Sequence, residues 1–375
     1  SILAVIQRSY DENNENVVQF RALLIQFYAA VFIASLLAVM LLARSITNPV
    51  ARLAAVVKRI DAGDYEQWAE VSSRDELGQL ADSVNSMTRG LAEKEKVRDL
   101  LGKVVSHQIA EELLSNPVEL GGEEREVTVL FSDIRGFTSY CEGKSPKAVL
   151  EALNQVLTII SDIIEQHHGV VDKFQGDAVM ALFGAPVAGE KDTANAVAAA
   201  LAIIAALQQL DSQLSACVGI NTGQVVAGNL GSSTRLNYSV IGDTVNLAAR
   251  LESLTRLYGV SNIVSESTMV AAPGFVYREL DAVRVAGKQQ SVRMFELLGR
   301  EGEVGEKTLA ESREFAAALA AYRAGDWGDA EEKFSALQEK CDNAALCREF
   351  LRRIQSFREQ PPAADWGGVM TFGKK

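Results

Sequence analysis

Val127 to Thr138 reads VTVLFSDIRGFT, and the interpretation of the whole chain starts from this stretch. Val127, Thr128, Val129, Leu130 and Phe131 form an unbroken run of β-formers, the pattern of a buried strand. The run stops at Ser132-Asp133, and Gly136 then permits a sharp turn toward a helix. A carboxylate at the end of a central strand, followed by free backbone N–H groups, suits a metal ion and a polyphosphate. Taken alone, such an aspartate reads as a helix N-cap. The flanking sequence has to decide between the two.

Strand and helix signals alternate from Glu123 to Leu298. A strand is expected over 126–133 and a helix over about 145–167. A hairpin of 169–174 and 178–183 turns near Gln175-Gly176. An Ala-rich helix at 191–211 precedes strands at 215–222 and 224–230. A strand at 236–241 leads into a helix at 244–258, and later strands fall near 275–285 and 291–298. This β-α-β-β-α-β order predicts an α+β fold: a ferredoxin-like antiparallel sheet with helices on one face. It is not a Rossmann-type alternation. Gly121-Gly122 marks the expected boundary before this domain. A second carboxylate, Asp177, lies at the hairpin expected to neighbour the first strand. Two aspartates at adjacent strand ends would bind Mg²⁺ or Mn²⁺ through oxygen, although Asp177 alone reads as a turn residue after Gly176.

Upstream, Ala22 to Ala43 (ALLIQFYAAVFIASLLAVMLLA) contains no charge. As a helix it would be roughly 33 Å long, enough to cross the hydrocarbon core of a bilayer. Arg44, Arg52, Lys58 and Arg59 follow it, which predicts that the C-terminal side faces the cytoplasm of a cell-membrane protein. Residues 1–21 would then end an external segment that receives an unidentified signal. The chain begins at Ser1 rather than Met, and we expect it to be a fragment with further sequence upstream. With 49 acidic against 37 basic residues the net charge is −12. No basic patch stands out, which argues against nucleic acid as a partner. Cys141, Cys217, Cys341 and Cys347 lack the spacing of a zinc site and read as reduced structural thiols.

After the span, Ile46, Val50, Leu53, Val57 and Ile60 are spaced 4-3-4-3, and Leu77, Leu80, Val84, Met87 and Leu91 are spaced 3-4-3-4. Both patterns suit parallel coiled-coil packing in a dimer. With Pro49 opening the first helix and Asp75-Glu76-Leu77-Gly78 opening the second, residues 44–96 resemble a HAMP linker; a plain coiled-coil stalk is the alternative. From Val97 the register shifts. Leu101, Val104, Val105, Ile109, Leu113 and Leu114 predict a second amphipathic helix within a 97–122 linker, ending before Asn116-Pro117.

Four motifs carry a second resemblance. They are FSDIRGFT at 131–138, DKFQGDAVMALFG at 172–184, VGINTGQVVAGNLG at 218–231 and YSVIGDTVNLAARLE at 238–252. Together they resemble the catalytic domain of class III nucleotidyl cyclases over residues 123–298. The resemblance implies that Asp133 and Asp177 hold two Mg²⁺ (or Mn²⁺) ions, assisted by the Ile134 carbonyl. One ion would acidify the ribose 3′-OH for attack on the α-phosphorus, and the other would steady pyrophosphate. Backbone N–H groups from Ile134 through Gly136 and Phe137 to Thr138 would cradle the phosphates. Asn246 would orient the ribose and Arg250 would stabilise charge on the reacting phosphate. These two lie four apart and share a helix face, although Arg250 alone reads as a surface salt-bridge residue. Lys288 matches a lysine that contacts the terminal phosphates, in a loop with one lysine where many relatives have two.

Base choice would rest on Lys173 and Ser239. An ammonium only donates, and adenine N1 accepts; a serine hydroxyl can accept from the adenine N6 amine. The pair resembles the Lys-Thr arrangement of one bacterial adenylyl subgroup, with Ser in place of Thr. The resemblance therefore implies a membrane-anchored homodimeric adenylate cyclase acting on ATP, with each site shared between two copies. Guanylate cyclase activity on the same scaffold, or a non-catalytic receptor that keeps the fold, are the alternatives. Finally, residues 299–375 read as two or three amphipathic helices, like a single tetratricopeptide-type pair that must pack on the preceding domain or on a neighbour. Pro361 to Lys375 is expected to be extended.

Overall fold

The computed structural model describes the chain except residues 1, 72–74, 105–108, 110–120, 211–214, 233–235, 286–290, 341–342, 364–365 and 373–375. Side chains are further left undescribed at 2–16, 99–104, 138, 285, 371 and 372. The chain divides into two compact units, Ser1–Leu101 and Gly102–Lys375.

In the first unit, α1 (Ile2–Leu42) continues through a π-helical turn (Ala43–Thr47) into α2 (Asn48–Asp61). The stretch from Val17 onward is long and apolar enough to cross a membrane, and its side chains are exposed. Pro49 sits in the first turn of α2, where its missing N–H costs no helical hydrogen bond. The third helix, α3 (Glu76–Val104), is capped by Asp75, whose Oδ1 accepts from the Leu77 and Gly78 amides at 3.0 and 3.4 Å. Leu53, Ala69 and Ala81 form a small core between α2, the connector and α3. Only part of each heptad stripe is buried: Leu53 and Ile60 are covered, while Ile46, Val50, Val57, Leu80 and Met87 remain exposed. The register shift at Val97 falls inside an unbroken α3. Most of its expected continuation toward Leu114 lies outside the described residues.

The second unit is built on one mixed sheet. Its elements are β1 (Gly121–Arg135), α4 (Phe137–Cys141), α5 (Pro146–Gln166), β2 (Val170–Gln175), β3 (Ala178–Phe183), α6 (Asp192–Leu210), β4 (Ser215–Gly231), β5 (Leu236–Ile241) and α7 (Asp243–Tyr258). There follow β6 (Asn262–Ser265), α8 (Glu266–Ala271), β7 (Phe275–Val285), β8 (Ser291–Arg300), helices α9 (Glu306–Arg323), α10 (Trp327–Lys340) and α11 (Ala344–Glu359), and β9 (Val369–Phe372). The strand order is β2-β3-β1-β4-β6-β8-β7-β9, with β5 paired to β4. Its first four strands have the order and antiparallel pairing expected of a ferredoxin-like sheet. Beyond them, β6 joins β4 and β9 joins β7 in parallel.

Three expectations change here. Residues 215–231 form one strand rather than two, because β1 pairs with β4 without interruption and Val127 lies opposite Gly223. Gly121 and Gly122 belong to β1 and are not a linker; a Cβ on Gly122 would sit 2.8 Å from the Ala227 carbonyl oxygen. Helices cover both faces of the sheet. Leu130, Ile134, Val218 and Ile220 pack with α5 and α6, whereas Val127, Val129 and Phe131 share a core with Ala248 of α7. Alternation along the strands puts these sets on opposite faces. Gly219 allows α7 to approach closely, since a Cβ there would lie 2.2 Å from the Glu252 amide nitrogen.

The C-terminal helices pack on this domain. Phe315, Leu319, Tyr322, Phe334, Leu346 and Phe350 share a core with Leu247, Leu251 and Tyr258 of α7 and with Leu280 and Val283 of β7. At its centre Arg353, 2% exposed, donates to Asp281 Oδ2 at 2.6 Å and to the Tyr258 hydroxyl at 3.0 Å. Tyr258 donates to the same carboxylate oxygen at 2.6 Å, and Glu349 accepts from Arg353 Nε at 2.7 Å. Removing one member of a buried charge set leaves the other without compensation. Arg353→Met should therefore cost about 3–5 kcal/mol of stability, read as a lowered urea midpoint of the full chain.

Candidate active site at the end of the central strand

Register brings the two aspartates together. The β1–β3 ladder ends at Ser132 opposite Val179, so the next residue, Asp133, reaches the turn that joins β2 to β3. That turn is the two-residue loop Gly176-Asp177, with Gly176 at φ 69°. A loop of this kind takes glycine where φ is positive and matches the strand twist. Burial first, and then the charge and hydrogen-bonding contact of Asp133, push the Asp177 carboxyl above its usual range; its own amide and Arg256 oppose this.

Arg256 and Glu252 of α7 complete this cluster. The Arg256 guanidinium pairs with Asp133 Oδ2 and lies 3.9 Å from Glu252 Oε1. Burial, followed by the Asp133 charge, raises Glu252 to about 6. Its Oε1 is buried without a hydrogen-bond partner among the described residues. Glu252 closes the motif at 238–252 without being assigned a role there, and Arg256 lies beyond it; their four-residue spacing is a common ion-pair signature on a helix. No group of three or more His, Cys, Asp or Glu side chains among the described residues is arranged to hold a metal ion. Two adjacent carboxylates nonetheless fit Mg²⁺, which binds one or two protein carboxylates and completes its shell with phosphate and water. The guanidinium on Asp133 marks where positive charge is favoured.

The Ile134 side chain is buried, and its amide donates to Asp133 Oδ1 at 2.7 Å, so that N–H is already engaged. Gly136 takes a left-handed conformation at φ 79° and turns the chain into α4, whose Phe137 ring stacks on Tyr140. The Thr138 side chain and Lys288 lie outside the described residues.

A second cluster forms around β2 and β5. Lys173 Nζ donates to Ser239 Oγ at 3.1 Å and pairs with Asp172 Oδ2 at 3.0 Å. Asp172 opens the motif at 172–184, but the resemblance assigns roles only to Lys173 and Ser239. Asn246 and Arg250 are exposed on α7. At about 100° per residue they lie roughly 120° around the helix from Glu252 and Arg256. Thus α7 presents one face to the aspartate pair and a different face with Asn246 and Arg250.

Residues 122–299 match the family model described as "Adenylate and Guanylate cyclase catalytic domain", and residues 41–93 match the HAMP domain. An uncharacterised protein of Mycobacterium tuberculosis, Rv1319c, is 38% identical over 224 residues, which make up 60% of this chain and 42% of that protein. The chain thus spans less than half the length of this curated relative. Among solved structures, the guanylyl cyclase Cya2 is 35% identical with a TM-score of 0.45, covering 49% of this chain and 97% of Cya2. The adenylyl cyclase CyaB from P. aeruginosa is 33% identical with a TM-score of 0.45, covering 50% of this chain and 100% of CyaB.

The raised Glu252 carboxyl sets a pH dependence for the metal-free protein. Between its usual 4.5 and about 6, the folded chain binds more protons than the unfolded chain. Stability therefore falls as pH rises through that window. With a chelator present, Glu252→Gln should raise stability above pH 6 by about 1–2 kcal/mol and flatten the pH profile of urea unfolding.

Proposed function

Residues 122–299 belong to the adenylate and guanylate cyclase catalytic domain family and residues 41–93 to the HAMP family, and from that premise we propose that the protein converts ATP to 3′,5′-cyclic AMP and pyrophosphate. The observation that carries the choice of ATP is the Lys173–Ser239 pair, 3.1 Å apart. It offers an N–H donor beside a hydroxyl, the complement of adenine N1 and N6.

On this reading Asp133 and Asp177, with the Ile134 carbonyl, hold two divalent cations, Mg²⁺ or Mn²⁺. When bound, such ions make a ribose 3′-OH a stronger nucleophile and neutralise the departing polyphosphate. The chain's own groups supply position and electrostatics. Lys173 and Ser239 fix the base, Asn246 orients the ribose, and Arg250 faces the charge that grows on the α-phosphate. Lys288 and the backbone of Gly136, Phe137 and Thr138 hold the phosphates. A preorganised cation of this kind contributes about 3–4 kcal/mol to lowering the barrier.

The site is shared between two copies of the chain. Support comes from α7, which turns Asn246 and Arg250 away from the face that meets Asp133. The half-exposed heptad stripes at Ile46, Val50, Val57, Leu80 and Met87 also suit a parallel dimer. We further propose that 22–43 spans the cell membrane with the catalytic domain in the cytoplasm. An external signal would act through the 44–96 linker and the 97–122 segment on how the 123–298 domains meet, with 299–375 as a helical appendage.

Purified full chain should turn over ATP in preference to GTP when the two are assayed side by side with Mg²⁺ or Mn²⁺. Asp133→Ala should lower cyclic AMP formation at least about a hundredfold while leaving the dimer intact by sedimentation. Asp133→Ala and Arg250→Ala protomers, each inactive alone, should regain activity when mixed, because one complete site forms per heterodimer. Absence of that rescue would count against sharing, and undiminished activity of Asp133→Ala against the metal assignment.

A further inference from the structure

Asp172 takes no part in the proposed reaction, yet its environment is unusual. Its side chain has no exposed surface, and its Oδ1 finds no hydrogen-bond partner among the described residues. Neighbouring residues of a strand normally point to opposite faces, so Asp172 and Lys173 should not meet the same partner. They do because β2 carries a bulge. Val171 pairs with Ala181 and Lys173 with Met180, leaving Asp172 as the extra residue. A bulge of this kind re-aims the side chains around it. Here it directs both Asp172 and Lys173 at Ser239, which is 3% exposed on β5.

With Asp172 ionised, the hydrogen bonds in this triad have one polarity. A lysine ammonium has donors and no acceptor, so Ser239 Oγ must accept from Lys173 Nζ at 3.1 Å. An ionised carboxylate only accepts, so Ser239 must donate its single proton to Asp172 Oδ2, 2.9 Å away. Lys173 Nζ pairs with that same oxygen at 3.0 Å. Burial raises the Asp172 carboxyl above its usual range, with Lys173 and Ser239 opposing the shift. Once these bonds form, Ser239 keeps a single free lone pair and no proton to give.

We propose that Asp172 is a specificity-determining positioning residue: by taking the Ser239 proton it makes that hydroxyl an acceptor only, and so admits an amino-substituted purine and rejects a keto purine. The inference rests on the reading that Lys173 and Ser239 face the base. Adenine presents an N6 amine, which donates to Ser239, and N1, which accepts from Lys173. Guanine presents the O6 carbonyl and N1–H at the corresponding positions. Both would then face groups of the same kind as their own, acceptor against acceptor and donor against donor. A serine hydroxyl without Asp172 would rotate to serve either base. The carboxylate is what removes that choice.

The test is the ratio of kcat/KM for ATP to that for GTP, measured on the full chain, because a loss of active protein cancels from a ratio. Asp172→Asn offers an amide that can donate to Ser239 and release its proton, and should lower the ratio about tenfold or more. In the Ser239→Ala background the same substitution should change the ratio by less than twofold, since Asp172 acts through the hydroxyl. An unchanged ratio in Asp172→Asn, or an equal drop in the Ser239→Ala background, would overturn the proposal. Should turnover be lost altogether, the ratio of binding constants for 3′-deoxy-ATP and 3′-deoxy-GTP replaces it, with the same expected drop and the same overturning result. Lys173→Glu and Ser239→Ala serve as controls on the underlying reading. If neither moves the ratio, base recognition lies elsewhere and both readings fail. If they move it and Asp172→Asn does not, only the role of Asp172 fails.

Discussion

Two carboxylates held side by side repel, and the candidate site is organised around that repulsion. Strand pairing enforces their proximity: the β1–β3 register carries Asp133 to the loop that holds Asp177. The energy for this comes from the sheet, whose central strands bury Val129, Leu130, Val179, Leu182 and Val218 completely. Local contacts offset the repulsion only in part: the Ile134 amide donates to Asp133, and the Asp177 carboxyl still lies above its usual range. Asp177 is pushed toward its neutral form, and Glu252 beside it is pushed the same way. Arg256 relieves the strain on Asp133 from the helix side. A protein that spends packing energy to crowd acidic groups at a strand end has built a place for positive charge.

Helix α7 connects this site to the rest of the unit. Its inner face lies on β4 at Gly219, where any side chain would strike its backbone. Leu247, Leu251 and Tyr258 contribute to the core shared with the C-terminal helices. The helix that presents Asn246, Arg250, Glu252 and Arg256 is therefore gripped from two sides. Arg353 also ties Tyr258 to Asp281 of β7, the strand that ends at Val285, three residues before Lys288. The helical appendage thus forms part of the packing that fixes α7. A buried charge set makes that packing specific as well as tight, because Asp281 has few other ways to be satisfied.

How much of this could be read from the sequence follows from the range of each interaction. The elements from β1 to α7 were legible because a buried strand and an amphipathic helix are each written in a few adjacent residues. Asp133, Asp177, Lys173, Ser239, Asn246 and Arg250 stood out as candidates because they sit in motifs at fixed offsets; of these, the structure brings Asp133 to Asp177 and Lys173 to Ser239. The short strands β6 and β9 were not, since four residues carry little periodic signal. The break expected near Gly223 failed because a long partner strand holds residues that would turn in isolation. Placement of α7 on the second face depends on a close approach at Gly219, which no local pattern records. Asp172 escaped notice because its role depends on a bulge, and a bulge is a relation between two strands.

Half-buried heptads and a divided α7 bear on regulation in one way. If each site takes Asp133 and Asp177 from one copy and Asn246 and Arg250 from another, no change within a chain is needed to switch it. A displacement of about 1 Å between catalytic groups can cost roughly a hundredfold in rate. On the proposed reading, displacements of that size would originate in the helices of the linker unit. Their exposed Ile46, Val50, Val57, Leu80 and Met87 would, on that reading, repack against a partner in alternative registers, while Leu53, Ala69 and Ala81 form a core within each copy. The rigid part of the catalytic unit then works in favour of control. Because α7 is packed between the sheet and the C-terminal helices, a shift of one whole domain against the other would, on that reading, carry Asn246 and Arg250 with it.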